Sequence, residues 1–286
     1  MILPTPAEGF AWRDFEGRPG LVCLLLEPFA SHVFTTAAWP TGRPGVPVGD
    51  AESWVPVAHA VGVSPSSLVR LRQVHGVGVF AAARSAVAAG TALPEADIVL
   101  VGEPGVAGAV QVADCVPLLL ADRVRGVVAA AHAGWRGLAA NGPRAAIDAL
   151  ASTFGTRPSD IVAALGPSIG ACCYEVGPDV RERFASGGFG PTRIAGWFHE
   201  RRVEVAGNPP LPRVARAAPQ SNRWFFDGWA AARDQLLEAG VSAAHIFGAG
   251  LCTASHPTVF CSYRRDGSPS GRLAAAITCG RRAYAD

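Results

Sequence analysis

Cys115 and His132 stand in the stretch ADCVPLLLADRVRGVVAAAHAGWRG, Ala113 to Gly137, at places where packing does not ask for their types. Cys115 opens an apolar run, Val116 to Ala121, and His132 follows another, Val127 to Ala131, with a polar DRVRG segment between them. Two such runs joined by a Gly-containing turn read as adjacent strands. A hairpin of that kind returns its second end to its first, so thiol and imidazole can meet at one sheet edge. His75, in LVRLRQVHG, ends a further apolar run. Two imidazoles and one thiolate make a donor set for a single zinc ion with an open fourth position. The spacing is long, unlike that of a CxxC knuckle, and two chemistries fit it. One is a catalytic zinc whose bound water has its pKa brought to ~7. The other is a nucleophilic pair, with Cys115 as thiolate and a histidine as its base. Any one of the three residues alone is as well explained by packing.

Composition narrows what such a site could act on. The 286 residues, 49% of them hydrophobic, can bury a large core and are read as one domain, 1–286. The net charge of +2 arises from 25 basic and 23 acidic residues without a long basic run, so small-molecule chemistry is expected rather than nucleic-acid or membrane binding. The chain contains no Lys, which excludes Schiff-base catalysis, a pyridoxal-phosphate lysine and a P-loop lysine. Anion binding then falls to Arg or to backbone N–H groups. Seven scattered cysteines, an odd number, suit a reducing cytoplasm, and the start MILPTPAEGF lacks the regions of a signal peptide. No apolar run reaches the ~18 residues that span a bilayer. A monomer is expected.

The elements that must position these residues follow from periodicity. Strands are predicted over Leu21 to Pro28, His32 to Thr36, Leu68 to Val74, Gly78 to Ala82, Ile98 to Val101 and Ala107 to Val112, then over the two central runs. Asp50 is placed to cap a helix through AESWVPVAHAVG, ended by Gly62. GWRG reads as a turn, and Asn141 with Pro143 starts a helix bearing Ile147, Leu150 and Phe154 on one face. A strand over Ile161 to Leu165 and a short helix carrying Val180 to Phe184 come next. Gly187 to Asn222, rich in Gly, Pro and Arg, reads as a long surface excursion. Asp227 starts a helix ended by Gly240, HIFGAGLC reads as a strand, and a last strand runs from Leu273 to Thr278. Strands outnumber helices and do not alternate strictly with them, which favours an α+β fold over a doubly wound sheet.

Other polar segments have competing readings. GPSIGACCYE offers the N–H groups of Gly170 to Cys172 with Tyr174 and Glu175, either an anion or base-orienting site or a plain tight turn. SYRRDGSPSGR concentrates Arg264, Arg265 and Arg272, suited to forked contacts with phosphate or carboxylate, with a solvated loop as the competing reading for the last two. The HxE…PCxxC signature of nucleobase deaminases is absent. A set of oxidase coppers needs more imidazoles than seven scattered histidines supply, and His32, His59, His199 and His245 read as surface or packing residues.

RQVHG, ADCVPLLLAD, AHAGWRG, GPSIGACCYEVG, FFDGWAAARDQL and CT…CSYRRDGSPSGR, in this order, resemble the laccase-domain family, also called multicopper polyphenol oxidase, purine nucleoside phosphorylase-like or peptidoglycan editing factor. The resemblance covers Leu68 to the C-terminus. It implies packed mixed β-sheets flanked by helices and a zinc, in preference to copper, on His75, Cys115 and His132. It also implies phosphorolysis of adenosine, inosine, guanosine and methylthioadenosine together with adenosine deamination. Some family members are instead assigned removal of misincorporated L-serine from a muropeptide precursor, so an amide hydrolase is the second expectation and a non-enzymatic zinc-stabilised binding module the third. Arg264 is the candidate phosphate contact, with Arg136, Tyr174 and Glu175 as further substrate-side candidates. The chain departs from the family pattern in WPTGRPGVPVGD, at Ala37 and at Gly102.

Overall fold

A computed structural model describes residues 1–45, 50–83, 93–212 and 222–280. Its strands are β1 (Phe10–Phe15), β2 (Arg18–Cys23), β3 (Ala30–Thr35), β4 (Leu68–Val69), β5 (Val79–Ala82), β6 (Ile98–Val101), β7 (Ala107–Val112), β8 (Val116–Asp122), β9 (Val128–Ala133), β10 (Ile161–Leu165), β11 (Glu175–Val176), β12 (Phe198–His199), β13 (Trp224–Phe226), β14 (Ile246–Gly248) and β15 (Leu273–Cys279). The helices are α1 (Val55–Ala60), α2 (Trp135–Ala139), α3 (Gly142–Phe154), α4 (Pro178–Ser186), α5 (Pro191–Trp197), α6 (Gly228–Glu238) and α7 (Tyr263–Asp266). One six-stranded sheet has the order β1-β2-β3-β15-β7-β4, a second has β14-β10-β8-β9-β6-β5, and β11-β13-β12 form a small third. Both large sheets are mixed, with β4–β7, β10–β14 and β5–β6 parallel among antiparallel neighbours. The expected α+β domain of packed mixed sheets flanked by helices is what forms.

The continuous apolar runs have a simple cause: both faces of the central strands are buried, so alternation sorts residues between two cores. On β8, Leu119 and Ala121 join the core between the two sheets, while Leu118 and Leu120 face the helix side. On β9, Val128 and Ala130 point inward, and Ala129 and Ala131 meet α3 and α6 through Ile147, Leu150 and Leu236. The first sheet turns its other face to α1, where Val57 and Ala58 pack on Val33, Ala109 and Ala276. The molecule is therefore layered helix, sheet, sheet, helix. Among the described residues no helix is long and apolar enough to cross a membrane.

Five readings of the sequence are corrected. GWRG is the start of α2 rather than a turn. The predicted strand from Leu21 ends at Cys23 in a turn, and its partner β1, in FAWRDF, was not anticipated. The strands expected to reach Val74 and Cys252 end at Val69 and Gly248. Of the 187–222 excursion, 213–221 lies outside the described residues, but α5 is no surface loop. Its Trp197 is fully buried against Phe184, and its indole N–H donates to the Asp234 carboxylate at 2.8 Å.

Candidate functional site

Antiparallel pairing of β8 with β9 sets Pro117 opposite His132 and Val116 opposite Ala133, which brings Cys115, one residue before β8, to the His132 end of the hairpin. His75 arrives from elsewhere. It lies where the chain leaves β4 of the first sheet for β5 of the second, just as Cys115 lies where the chain passes from β7 to β8. The donor atoms of His75, Cys115 and His132 come within 4.8 Å of one another, and the two imidazole rings stand 4.8 Å apart at 79°. His132 is buried, Cys115 half-buried and His75 exposed, so the group is open on the His75 side. Both crossings need left-handed backbone: His75 has φ 62° and Asp114 φ 88°, a conformation that costs a non-glycine residue about 1–2 kcal/mol.

Asp97, absent from any reading of the sequence, holds these pieces in place. Fully buried at the head of β6, it accepts a 2.8 Å bond from Nδ1 of His132 and bonds from the N–H groups of Val74 (3.2 Å), His75 (3.0 Å) and Gly76 (2.7 Å). One carboxylate thus fixes the strained His75 loop and aims Nε2 of His132 into the site, the arrangement that steadies metal-ligating histidines. The only hint in the sequence is an acid set immediately before the apolar run IVLV.

The charges of the group reinforce one another. Burial pushes the Cys115 thiol up, but the His132 charge and hydrogen bonds to His132 and His75 outweigh it and bring the pKa down to about 6. Burial likewise pulls His132 down, yet the Cys115 charge and the Asp97 hydrogen bond raise it to about 9. Without a cation, thiolate and imidazolium coexist near pH 7. Such a pair can grip a soft cation after losing one proton, or attack an electrophile. Gly134 leaves room for the group: a Cβ there would lie 2.9 Å from Cys115 Sγ and 3.1 Å from His75 Cδ2.

Around the thiol lies a small cavity, about 40 Å³, bounded by Cys115, Gly134, Trp135, Tyr174 and Phe226. Tyr174 and Arg264 face each other, the guanidinium 4.7 Å from the ring centroid. Arg264 donates through its main-chain N–H to the Asp114 carboxylate (2.6 Å) and through Nη1 to the Glu175 carbonyl (2.5 Å). Glu175 thus meets Arg264 through its main chain. Arg136, exposed on α2, stacks on Trp135 at 4.3 Å, and none of the described residues accepts a hydrogen bond from it. Burial pushes the Tyr174 phenol up, so it stays neutral at pH 7. Arg265 and Arg272 are not parts of a solvated loop. Arg265 bonds the carbonyls of Thr253 (3.0 Å) and Phe260 (2.8 Å), and Arg272 those of Ser270 (2.6 Å) and Gly271 (3.0 Å). GPSIGACC forms a turn in which the N–H groups of Cys173 and Tyr174 bond the Gly170 carbonyl, and the Gly170 N–H points at the Cys252 sulfur, 3.4 Å away.

Residues 48–280 match the family model described as multi-copper polyphenol oxidoreductase laccase. A protein named purine nucleoside phosphorylase from Deinococcus radiodurans is 34% identical over 276 residues, 92% of this chain and 95% of that one. One of the same name from Bacteroides thetaiotaomicron is 35% identical over 181 residues, 63% of this chain and 60% of the relative. The crystal structure of YlmD from Geobacillus stearothermophilus superposes with a TM-score of 0.75 at 30% identity, covering 95% of this chain and 99% of that one.

Proposed function

Because the chain belongs to the multi-copper polyphenol oxidoreductase laccase family, whose relatives include proteins named purine nucleoside phosphorylase, we propose that it is a zinc-dependent enzyme of purine nucleosides. On this reading it cleaves adenosine, inosine, guanosine and methylthioadenosine with phosphate and deaminates adenosine. The observation that carries the proposal is the His75–Cys115–His132 group steadied by Asp97. Two nitrogens and a thiolate already drawn toward ionisation suit zinc, and the carboxylate behind His132 is the usual outer partner of such a site. Copper oxidation fits less well, since among the described residues His75 and His132 are the only imidazoles in a metal-holding group, too few for a set of coppers.

In that role His75, Cys115 and His132 would hold the ion, which when bound supplies a Lewis acid able to polarise a substrate atom and acidify water. The other residues divide the remaining work. Trp135 and the exposed His75 border the open side from which a flat base can approach, since the 40 Å³ cavity beside the thiol is too small for one. Arg136 is the better-placed contact for phosphate, because Arg264 is engaged in orienting Tyr174 and the Glu175 strand. Tyr174, kept neutral by burial, lines the small cavity beside the thiol and carries the Arg264 guanidinium on its ring.

The charge state of Cys115 favours a second reading, an amide hydrolase that removes misincorporated L-serine from a muropeptide precursor through a thiolate nucleophile. Incubating the zinc-loaded protein with adenosine, with and without phosphate, and separately with the serine-containing precursor separates the two. We expect adenine only with phosphate, inosine without it, loss of both on chelation and recovery with zinc. Inert adenosine combined with precursor hydrolysis that survives chelation and is killed by thiol alkylation would replace the first reading with the second.

A further inference from the structure

Away from this site, three cysteines that the chemistry above does not use converge in the interior. Cys172 and Cys173 lie in the turn closed by N–H bonds from Cys173 (2.9 Å) and Tyr174 (3.0 Å) to the Gly170 carbonyl. Cys252 comes from the segment after β14 that bridges to Ser168. In a strand, adjacent residues would point to opposite faces, but in this turn both sulfurs face Cys252, and the three sulfurs lie within 4.8 Å of one another. All three are buried. Ser255 Oγ stands 3.8 Å from Cys172 Sγ and 3.6 Å from Cys173 Sγ. The backbone aims the Gly170 N–H at Cys252 Sγ, the contact expected by a sulfur carrying negative charge.

We propose that Cys172, Cys173 and Cys252 form a second metal site, with Ser255 Oγ at the fourth corner, that takes a thiophilic d10 cation, zinc above all. Tetrahedral geometry with the usual zinc bond lengths puts sulfurs about 3.8 Å apart and sulfur and oxygen about 3.5 Å apart. The Ser255 distances match the second figure before any ion draws the ligands in. Charge decides the valence. Three thiolates around a divalent ion leave one net negative charge, facing the Gly170 N–H, whereas a monovalent ion leaves two in an apolar surrounding of Ile169, Leu211 and Ala254. Cys172 also lines a cleft of about 380 Å³ with Arg202, Glu204 and Asn208, which gives an ion a route inward. The site reaches the first one through the chain: Cys173 precedes Tyr174, and Cys252 precedes Thr253, whose hydroxyl donates to the Asp114 carboxylate at 2.6 Å.

The test is metal stoichiometry on the reduced, full chain loaded with zinc and desalted. We expect one zinc at His75–Cys115–His132 and a second at the three cysteines. Cys172→Ser with Cys252→Ser should lose only the second. His75→Ala with Cys115→Ser should keep it and, reloaded with cobalt(II), show thiolate charge-transfer bands together with tetrahedral d–d bands. If the serine pair fails to fold, the count in the His75–Cys115 variant still decides. A His75–Cys115 variant that folds, keeps its remaining thiols reduced and binds neither zinc nor cobalt overturns the proposal, whereas a wild-type chain with a single zinc that this variant retains supports it.

Discussion

Cys115 and His132 were legible as a pair because a hairpin register needs only local sequence, and two apolar runs around DRVRG supply it. Asp97 was not legible, since nothing local marks an acid that will bond a loop more than twenty residues earlier in the chain and an imidazole from the neighbouring strand. Its four accepted bonds exist only once both sheets are assembled. Gly134 was equally hidden, because its role is the absence of a side chain against Cys115 and His75. That role gives a clean prediction. Gly134 has φ −71° and ψ 171°, which alanine adopts without strain. Gly134→Ala should therefore unfold at nearly the wild-type denaturant midpoint while losing about 10–100-fold in zinc affinity, the scale on which displaced ligand geometry acts. A competitive chelator titration reads it; unchanged affinity would show that the thiol and His75 do not act together.

At the scale of elements, long periodic segments declared themselves and short ones did not. The α3 reading holds because thirteen residues repeat an apolar face, whereas α2 is five residues long and carries no period to detect. The 187–222 stretch misled for another reason. Its Gly, Pro and Arg suggest exposure, but Trp197 and Ile194 alone give α5 a buried face, completed by Phe184 and Phe189 from outside the helix. Trp197→Ala removes a fully buried indole and leaves the Asp234 carboxylate without its donor. A loss of about 3–5 kcal/mol of stability is expected, read from urea unfolding. A loss under about 1 kcal/mol, the range of an exposed site, would restore the surface reading.

For the whole molecule, His32 is a source of acid sensitivity. It is fully buried between strands, accepting the Cys23 N–H on Nε2 (2.8 Å) and donating from Nδ1 to the Ala30 carbonyl (3.1 Å). Burial pulls its pKa from the ordinary 6.5 down to about 4. The unfolded chain therefore takes up this proton first: stability from His32 is full above pH 6.5 and drains away as pH falls toward 4, about 3 kcal/mol in all. His32→Gln keeps a donor and an acceptor without titrating, and should flatten the stability profile across that window while costing little at pH 7. An unchanged slope would assign the acid loss elsewhere. The layered architecture has one more consequence. Two of the three donors, His75 and Cys115, sit where the chain steps from one sheet to the other, and His132 sits on the second sheet beside them. Pulled apart through its two sheets, the protein would bear tension at these steps while the apolar layer between them sheared. An ion gripped there would act as a rivet, and the force needed to open the molecule would measure how full the site is.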